Sequence, residues 1–309
     1  MNKNLRTFVV VNPASASGAT GRRWDRIARA LGREVGPFEH AMTEGPRHAT
    51  ALTRKALANG FEMVVAVGGD GTLNEVACGF FDEGRPVAPS AVLGVIPQGT
   101  GSDFPRGFGI GRTIEEACAR LSGCNARMID VGHVRFTGHE GQSGERVFVN
   151  VASFGCGGAV AHAVTSVSKR MGGRLAFLLT TARTLLRYQD QAVTLTVGNG
   201  APESMNITNC AVCNSQYFGG GMWVAPYADI DDGRFDITIW TGFSLKDFIL
   251  KWRSLYDGTH VYDPGTRLLL AKKVVATSNE DVLLDVDGEC VGRLPATIEI
   301  LPAALRFKI

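Results

Sequence analysis

Residues Val64–Val76, VVAVGGDGTLNEV, constrain this chain more than any other stretch. An apolar β-type run breaks into three glycines around one carboxylate and resumes as a helix-compatible segment. Glycine lets the main chain come within hydrogen-bonding reach of phosphate oxygens, and a helix that starts there adds unpaired N–H groups and the positive end of its dipole. Asp70 does not suit bare phosphate. It suits a divalent cation lying between, because Mg²⁺ prefers oxygen ligands and joins one or two carboxylates to substrate phosphates. The alternative is a plain strand-to-helix turn with Asp70 or Thr72 as N-cap.

The surrounding pattern favours a phosphate loop. Apolar runs begin near Thr7, Phe38, Met63 and Val92, each followed by a helix-compatible segment such as Trp24–Leu31 or His48–Asn59. This βαβ rhythm predicts a parallel sheet, with ligands beyond the carboxyl ends of the strands. Asn12–Gly18, Gly68–Thr72 and Gln98–Asp103 fall at those ends. After about Asn125 the texture changes to short β-rich runs, among them Val147–Val151, Ile207–Cys213, Phe235–Trp240 and Val282–Val286. The expected fold is an α/β domain over 1–126, with 300–309 free to return to it, and a mainly antiparallel β-sandwich over 127–299.

A net charge of +2 carries no nucleic-acid signature. Any attraction to an anionic surface must then be local. Ser168–Gln189 is the one helical segment that stands out in the second half, with Lys169, Arg170, Arg174, Arg183 and Arg187. It is either an amphipathic helix packed on the sheet or a basic face beside an anionic membrane. No apolar stretch has the length of a signal peptide or a membrane span, and seven cysteines spread over apolar segments suit a reducing compartment. A cytoplasmic location is expected. Cys210 and Cys213 form a C-x-x-C without a second pair nearby, the pattern of core thiols more than of a zinc site.

Several motifs in one order resemble the catalytic domain shared by diacylglycerol kinases, sphingosine kinases and bacterial lipid kinases. They are VVNPASAS (Val9–Ser17), Thr43, VGGDGTLNEV (Val67–Val76), PQGTGSDFPR (Pro97–Arg106), NVASFGCGG (Asn150–Gly158), the Asn214–Asp236 run with YFGGGMWVAPYADIDDGRFD, and DGE (Asp287–Glu289). GGDGT alone is shared with NAD kinases and phosphofructokinases; the later motifs make the lipid-kinase likeness specific. No Walker A lysine is present. The resemblance implies that Asn12, Thr43, Gly69, Asp70, Gly71, Thr72, Leu73, Asn74, Glu75 and Thr100 line an ATP site, and that Asp70 serves catalysis through Mg²⁺. It implies Glu289 as the general base, with Asp287 near enough in sequence to orient it or raise its pKa. The competing reading is a hairpin whose turn is Asp287-Gly288.

DIDDGR, Asp229–Arg234, resembles the family's structural Mg²⁺ site, with the Asp232 carboxylate and the main chains of Asp229 and Arg234 as ligands. The competing reading is an acidic turn. Ser102 stands where the family usually has Asn, and Ala16 where a glycine often follows the serine. The expected function is transfer of the γ-phosphoryl group of ATP to a lipid hydroxyl, diacylglycerol or a related lipid, by an enzyme that touches the membrane peripherally, binds no nucleic acid and is compatible with a homodimer. An NAD kinase-like enzyme and a non-catalytic nucleotide-binding regulator are the alternatives.

Overall fold

The computed structural model describes residues 5–99, 101–110, 113–166 and 173–309, and of residues 165–178 at most the backbone. The chain divides into two compact units, Met1–Asp130 with Ala303–Ile309, and Val131–Pro302.

In the first unit the strands are β1 (Thr7–Val11), β2 (Phe38–Met42), β3 (Met63–Gly68), the short pair β4 (Phe81–Asp82) and β5 (Arg85–Pro86), and β6 (Val92–Pro97). The helices are α1 (Ala19–Val35), α2 (His48–Ala58), α3 (Asp70–Gly79), α4 (Asp103–Gly107) and α5 (Ile114–Ala119). The main sheet is parallel in the order β2-β1-β3-β6, and Arg306 and Phe307 continue it beside Val92 and Leu93. Every residue of β3 is buried, as a strand covered on both faces requires. α1 shows how the sequence makes its helices: Thr20, Trp24, Ile27, Leu31 and Val35 recur at helical spacing, form its buried stripe, and end at Gly36 with φ +78°.

The second unit is a mainly antiparallel sandwich. Its strands are β7 (Arg127–Gly138), which starts in the first unit, β8 (Ser143–Phe148), β9 (Val151–Gly155), β10 (Gln191–Val197), β11 (Glu203–Ile207), β12 (Asn209–Cys213), β13 (Tyr217–Phe218), β14 (Met222–Trp223), β15 (Phe235–Trp240), β16 (Thr266–Ala271), β17 (Lys273–Thr277), β18 (Leu283–Val286) and β19 (Glu289–Phe307). One row runs β16-β15-β12-β9-β18-β19; β10 and β11 join β19 through β17, β7 joins it directly and β8 joins through β7. Phe148, Phe154, Phe235, Ile237, Val274 and Leu284 lie in the core these rows share. Cys210 packs in this core and Cys213 in a second cluster with Met222 and Leu255, so the two thiols face opposite sides of β12 and cannot act as a pair.

Among the described residues this unit has three α-helices, where the sequence suggested one: α6 (Cys156–Ser166), α7 (Gly173–Arg187) and α8 (Leu245–Asp257). Two glycines near the start of α6 imitate a turn. α8 carries apolar residues on its exposed face. Among the described residues no helix is long and apolar enough to cross a membrane.

Candidate active site

In the first sheet the chain moves outward in opposite directions from β1, to β2 on one side and β3 on the other, which makes the gap between β1 and β3 the topological switch point. The loops that leave these two strands meet there. The Asn12 amide donates to the carbonyl of Val67 (2.9 Å), and the Asn12 side chain donates to the Thr72 hydroxyl (3.0 Å). Any side chain at Gly68 would overlap Thr72, and a Cβ at Gly99 would lie 2.6 Å from the Gly69 Cα. The GGDGT loop and the Gln98–Asp103 loop therefore touch backbone to backbone. Neither Asp70 nor Thr72 caps α3; Gly69 is its N-cap and supplies no side chain, so no N-cap side chain satisfies the first amides of the helix.

The Asp70 carboxylate accepts the Phe104 amide at 3.4 Å, and a Cβ at Gly101 would lie 3.1 Å from it and 3.6 Å from the carboxylate of Asp103. Burial raises the Asp70 pKa above the usual carboxylate range, opposed by the amides of Asp103, Phe104 and Ser102. Holding such a group next to a second buried acid costs stability, which a cation would offset. Asp103 went unnoticed in the sequence, although its place in SDFPR, one loop from GGDGT, was visible.

The other residues expected at the nucleotide are spread out. Thr43 follows β2 and its amide donates to the Val11 carbonyl (2.8 Å), which brings it to the same sheet end. Gly71 lies in the first turn of α3. Leu73 and Asn74 are buried within α3, and the Glu75 carboxylate accepts the Ala49 amide (3.1 Å), capping α2 where Arg47 provides no side-chain cap. Thr100 lies outside the described residues. Ser102 occupies the left-handed region, φ +51°, at the N-cap of α4. Asn visits this conformation several-fold more readily than most residues. Ser102→Asn is expected to raise stability by about 0.5–1 kcal/mol, read as a higher midpoint in urea unfolding; an unchanged midpoint would show that the loop bears no strain there.

In the second unit three motifs converge on Asp287. Its carboxylate accepts the amides of Val149 (3.1 Å), Asn150 (3.1 Å) and Val151 (2.8 Å), and its own amide donates to the Val151 carbonyl. The Asn150 side chain donates to the Tyr217 carbonyl (2.8 Å), and the Asn214 side chain to the Val149 carbonyl (3.0 Å). NVASFG, NSQYFGGG and DGE thus form one polar cluster. Asp287 and Gly288, both at positive φ, make the two-residue turn between β18 and β19 that the Asp-Gly pair predicts. Glu289 opens β19, its side chain 44% exposed and paired with the Arg146 guanidinium at 2.7 Å. Beneath them Asp285 is buried and accepts the Ser153 hydroxyl (3.3 Å); burial, and after it the Asp287 charge, push its pKa well above the usual value. Arg146 and Asp285 were not singled out in the sequence, because one reaches Glu289 across 143 residues and the other looks like an ordinary strand position.

Asp229, Asp232 and Arg234 share an exposed loop in which the Asp232 carboxylate accepts the Arg234 amide (2.9 Å). Asp236 beside it is pushed up to about 6 by burial and by the charges of Asp232 and Asp229, with Arg234 opposing. Among the described residues no three His, Cys, Asp or Glu side chains converge as a metal cluster. A cation here would need main-chain carbonyls and water beside one carboxylate, and this donor set suits Mg²⁺.

The comparisons give these two units a lineage. Residues 6–134 match the diacylglycerol kinase catalytic domain, and residues 150–308 match the YegS C-terminal NAD kinase beta sandwich-like domain. The diacylglycerol kinase of Bacillus subtilis strain 168 is 31% identical over 298 residues, spanning 94% of this chain and 91% of that protein. The chain belongs to the bacterial diacylglycerol kinase family. The diacylglycerol kinase of Staphylococcus aureus strain JH9 is 30% identical over 94% of this chain and 88% of its own. A crystal structure of a diacylglycerol kinase from Bacillus anthracis strain Sterne superposes with a TM-score of 0.73 at 20% identity, covering 100% of this chain and 98% of that one. Yeast NADH kinase shares the fold more distantly, with a TM-score of 0.51 at 11% identity over 99% of this chain and 83% of that one. Membership makes the chain one of a family of lipid kinases, with an N-terminal α/β domain and a C-terminal β-sandwich.

Proposed function

We propose that this protein is an ATP- and Mg²⁺-dependent kinase that phosphorylates a hydroxyl of diacylglycerol or a related lipid. The observation that carries this reading is the meeting of two glycine loops at the switch point, with the first amides of α3 and the enclosed Asp70 carboxylate beside them. Phosphoryl transfer needs positioning and charge stabilisation more than covalent chemistry from the protein. In this reading the α3 amides and the Asn12 and Thr72 side chains hold phosphate oxygens, with Thr43 at the same edge. Asp70 would hold Mg²⁺ on the nucleotide, which supplies neutralisation of phosphate charge. Glu289 takes the proton of the attacking hydroxyl, while Asp287, fully engaged by three amides, fixes the turn that carries Glu289 and does not itself move protons.

The test is radiolabelled ATP offered with mixed micelles of diacylglycerol, a long-chain base or phosphatidylglycerol, with NAD in a parallel reaction. Label entering the lipid phase is the expected result. Label in NAD alone, or none in any acceptor, would overturn the reading. The DIDDGR loop is tested separately. A cation that binds only the native state stabilises it by mass action, so Mg²⁺ raises the melting temperature of the wild type and Asp232→Ala abolishes that rise. A variant with the full Mg²⁺ response would mark the loop as a turn only.

A further inference from the structure

We propose that the outward face of α8 is a docking surface for an anionic lipid bilayer. Lys246, Ile249, Leu250 and Arg253 fall at i, i+3, i+4 and i+7, one stripe of the helix, and all four are exposed. Ile249 is 61% and Leu250 69% exposed, and Trp252 at the flank is 47% exposed with the Arg253 guanidinium 5.9 Å from its ring centroid. This is the reverse of an ordinary surface helix, whose outward stripe is polar. The inner stripe is occupied as well: Leu255 is buried, and Phe248 and Tyr256 pack against the Val151, Ala211 and Trp240 cluster. The helix therefore has two apolar faces, one of them without cover among the described residues.

Its construction is that of a fixed platform. Ser244 and Asp247 form a reciprocal cap at the N-terminus, and Gly258 closes the C-terminus at φ +79°. The acids of the helix are engaged within the fold. Asp247 serves the cap and Lys251, and Asp257 accepts the Thr259 amide and hydroxyl. Lys246 and Arg253 give the outer stripe two cations against the one carboxylate of Asp257 at its C-terminal end. α7 packs against α8 and adds exposed Arg183, Leu186 and Arg187. Of the other basic residues expected on that segment, Lys169 and Arg170 lie outside the described residues, as does the side chain of Arg174.

Aliphatic side chains and a tryptophan flanked by cations are the composition of a helix that lies in a bilayer interface, with apolar groups among the acyl chains and the charges at lipid phosphates. A second copy of the chain is a poorer occupant. A two-fold contact through this stripe would set Lys246 and Arg253 of each copy against the same cations of the other. The proposal rests on the lipid-kinase reading for its purpose, since a lipid acceptor resides in a membrane, but not for its test.

The full chain is mixed with vesicles of phosphatidylcholine alone or of phosphatidylcholine and phosphatidylglycerol in equal parts, and binding is followed by cosedimentation and tryptophan emission. Binding is expected only with the anionic vesicles, with a blue shift that Trp252→Phe removes. The pair Ile249→Ser with Leu250→Ser should weaken binding at least about tenfold. Lys246→Gln with Arg253→Gln should weaken it about fivefold per charge, an effect that added salt mimics. These positions are exposed, so melting temperatures should stay at the wild-type value and separate docking from folding. Variants that bind as the wild type would overturn the proposal. So would a dimer that the serine pair converts to monomer while vesicle binding persists. Label transfer in detergent micelles is measured alongside: its absence with vesicle binding intact would remove the kinase reading and leave the docking face standing.

Discussion

Glu289→Gln is expected to lower turnover on the best lipid acceptor by about 10²- to 10⁴-fold while nucleotide affinity holds, the loss proposed for removal of a general base. Glutamine keeps the size of the side chain and an oxygen to receive the Arg146 guanidinium, which the carboxylate meets at 2.7 Å. It cannot take a proton. The turn that presents residue 289 is held by Asp287 and its three amide donors, so the substitution leaves the backbone in place. Turnover is measured with lipid saturating, and affinity by equilibrium nucleotide binding. Near-normal turnover would remove Glu289 from proton transfer and return it to the exposed-strand role that its hairpin also permits. A collapse of ATP affinity would instead assign it to the nucleotide.

Asp70→Asn is expected to lower turnover by at least about a hundredfold, the scale of losing one electrostatic stabiliser. Its effect on stability should have the opposite sign. Burial raises the folded-state pKa of Asp70, so the charged form is the costly one in the native protein. The native state then binds more protons than the unfolded chain between the unfolded pKa and the raised folded one. Wild-type stability attributable to this group grows as pH falls through that window and is lost as pH rises through it. Asn has no such term. The variant should melt no lower than the wild type near neutral pH, and its advantage should shrink as pH is lowered through the window. Wild-type turnover in a well-folded variant would take Asp70 out of the mechanism.

The α/β half was legible because its signals are local. Thr7, Phe38, Met63 and Val92 begin runs with turn chemistry at both ends, and the 3.6-residue stripe of α1 needs no tertiary information. The glycine loops were legible for the same reason: each is a contiguous string. What the sequence hid are partnerships over distance. Nothing in LNEV says that Glu75 caps a helix whose own N-cap residue, Arg47, has no suitable side chain. Asp287 was read as a neighbour that tunes Glu289, because proximity along the chain was the only relation visible. Its amide donors lie 136 to 138 residues away. α8 was passed over although its caps, Ser244 with Asp247 and Gly258, are local signals.

The discontinuity of the first unit orders events during synthesis. A ribosome makes residues 131–302 before it makes Ala303–Ile309, yet it is this segment that lies beside Val92 and Leu93. Phe307 is fully buried against Phe104 and Phe108, the Lys308 ammonium donates to the Gly123 carbonyl (2.7 Å), and the Ala303 amide donates to the Asp130 carboxylate (2.6 Å). Until those residues emerge, β6 presents an open strand edge, a hazard for pairing with other chains. The loop that meets Gly69 leaves the end of that same strand. A nascent chain thus carries the whole GGDGT motif early but finishes the sheet beneath it late.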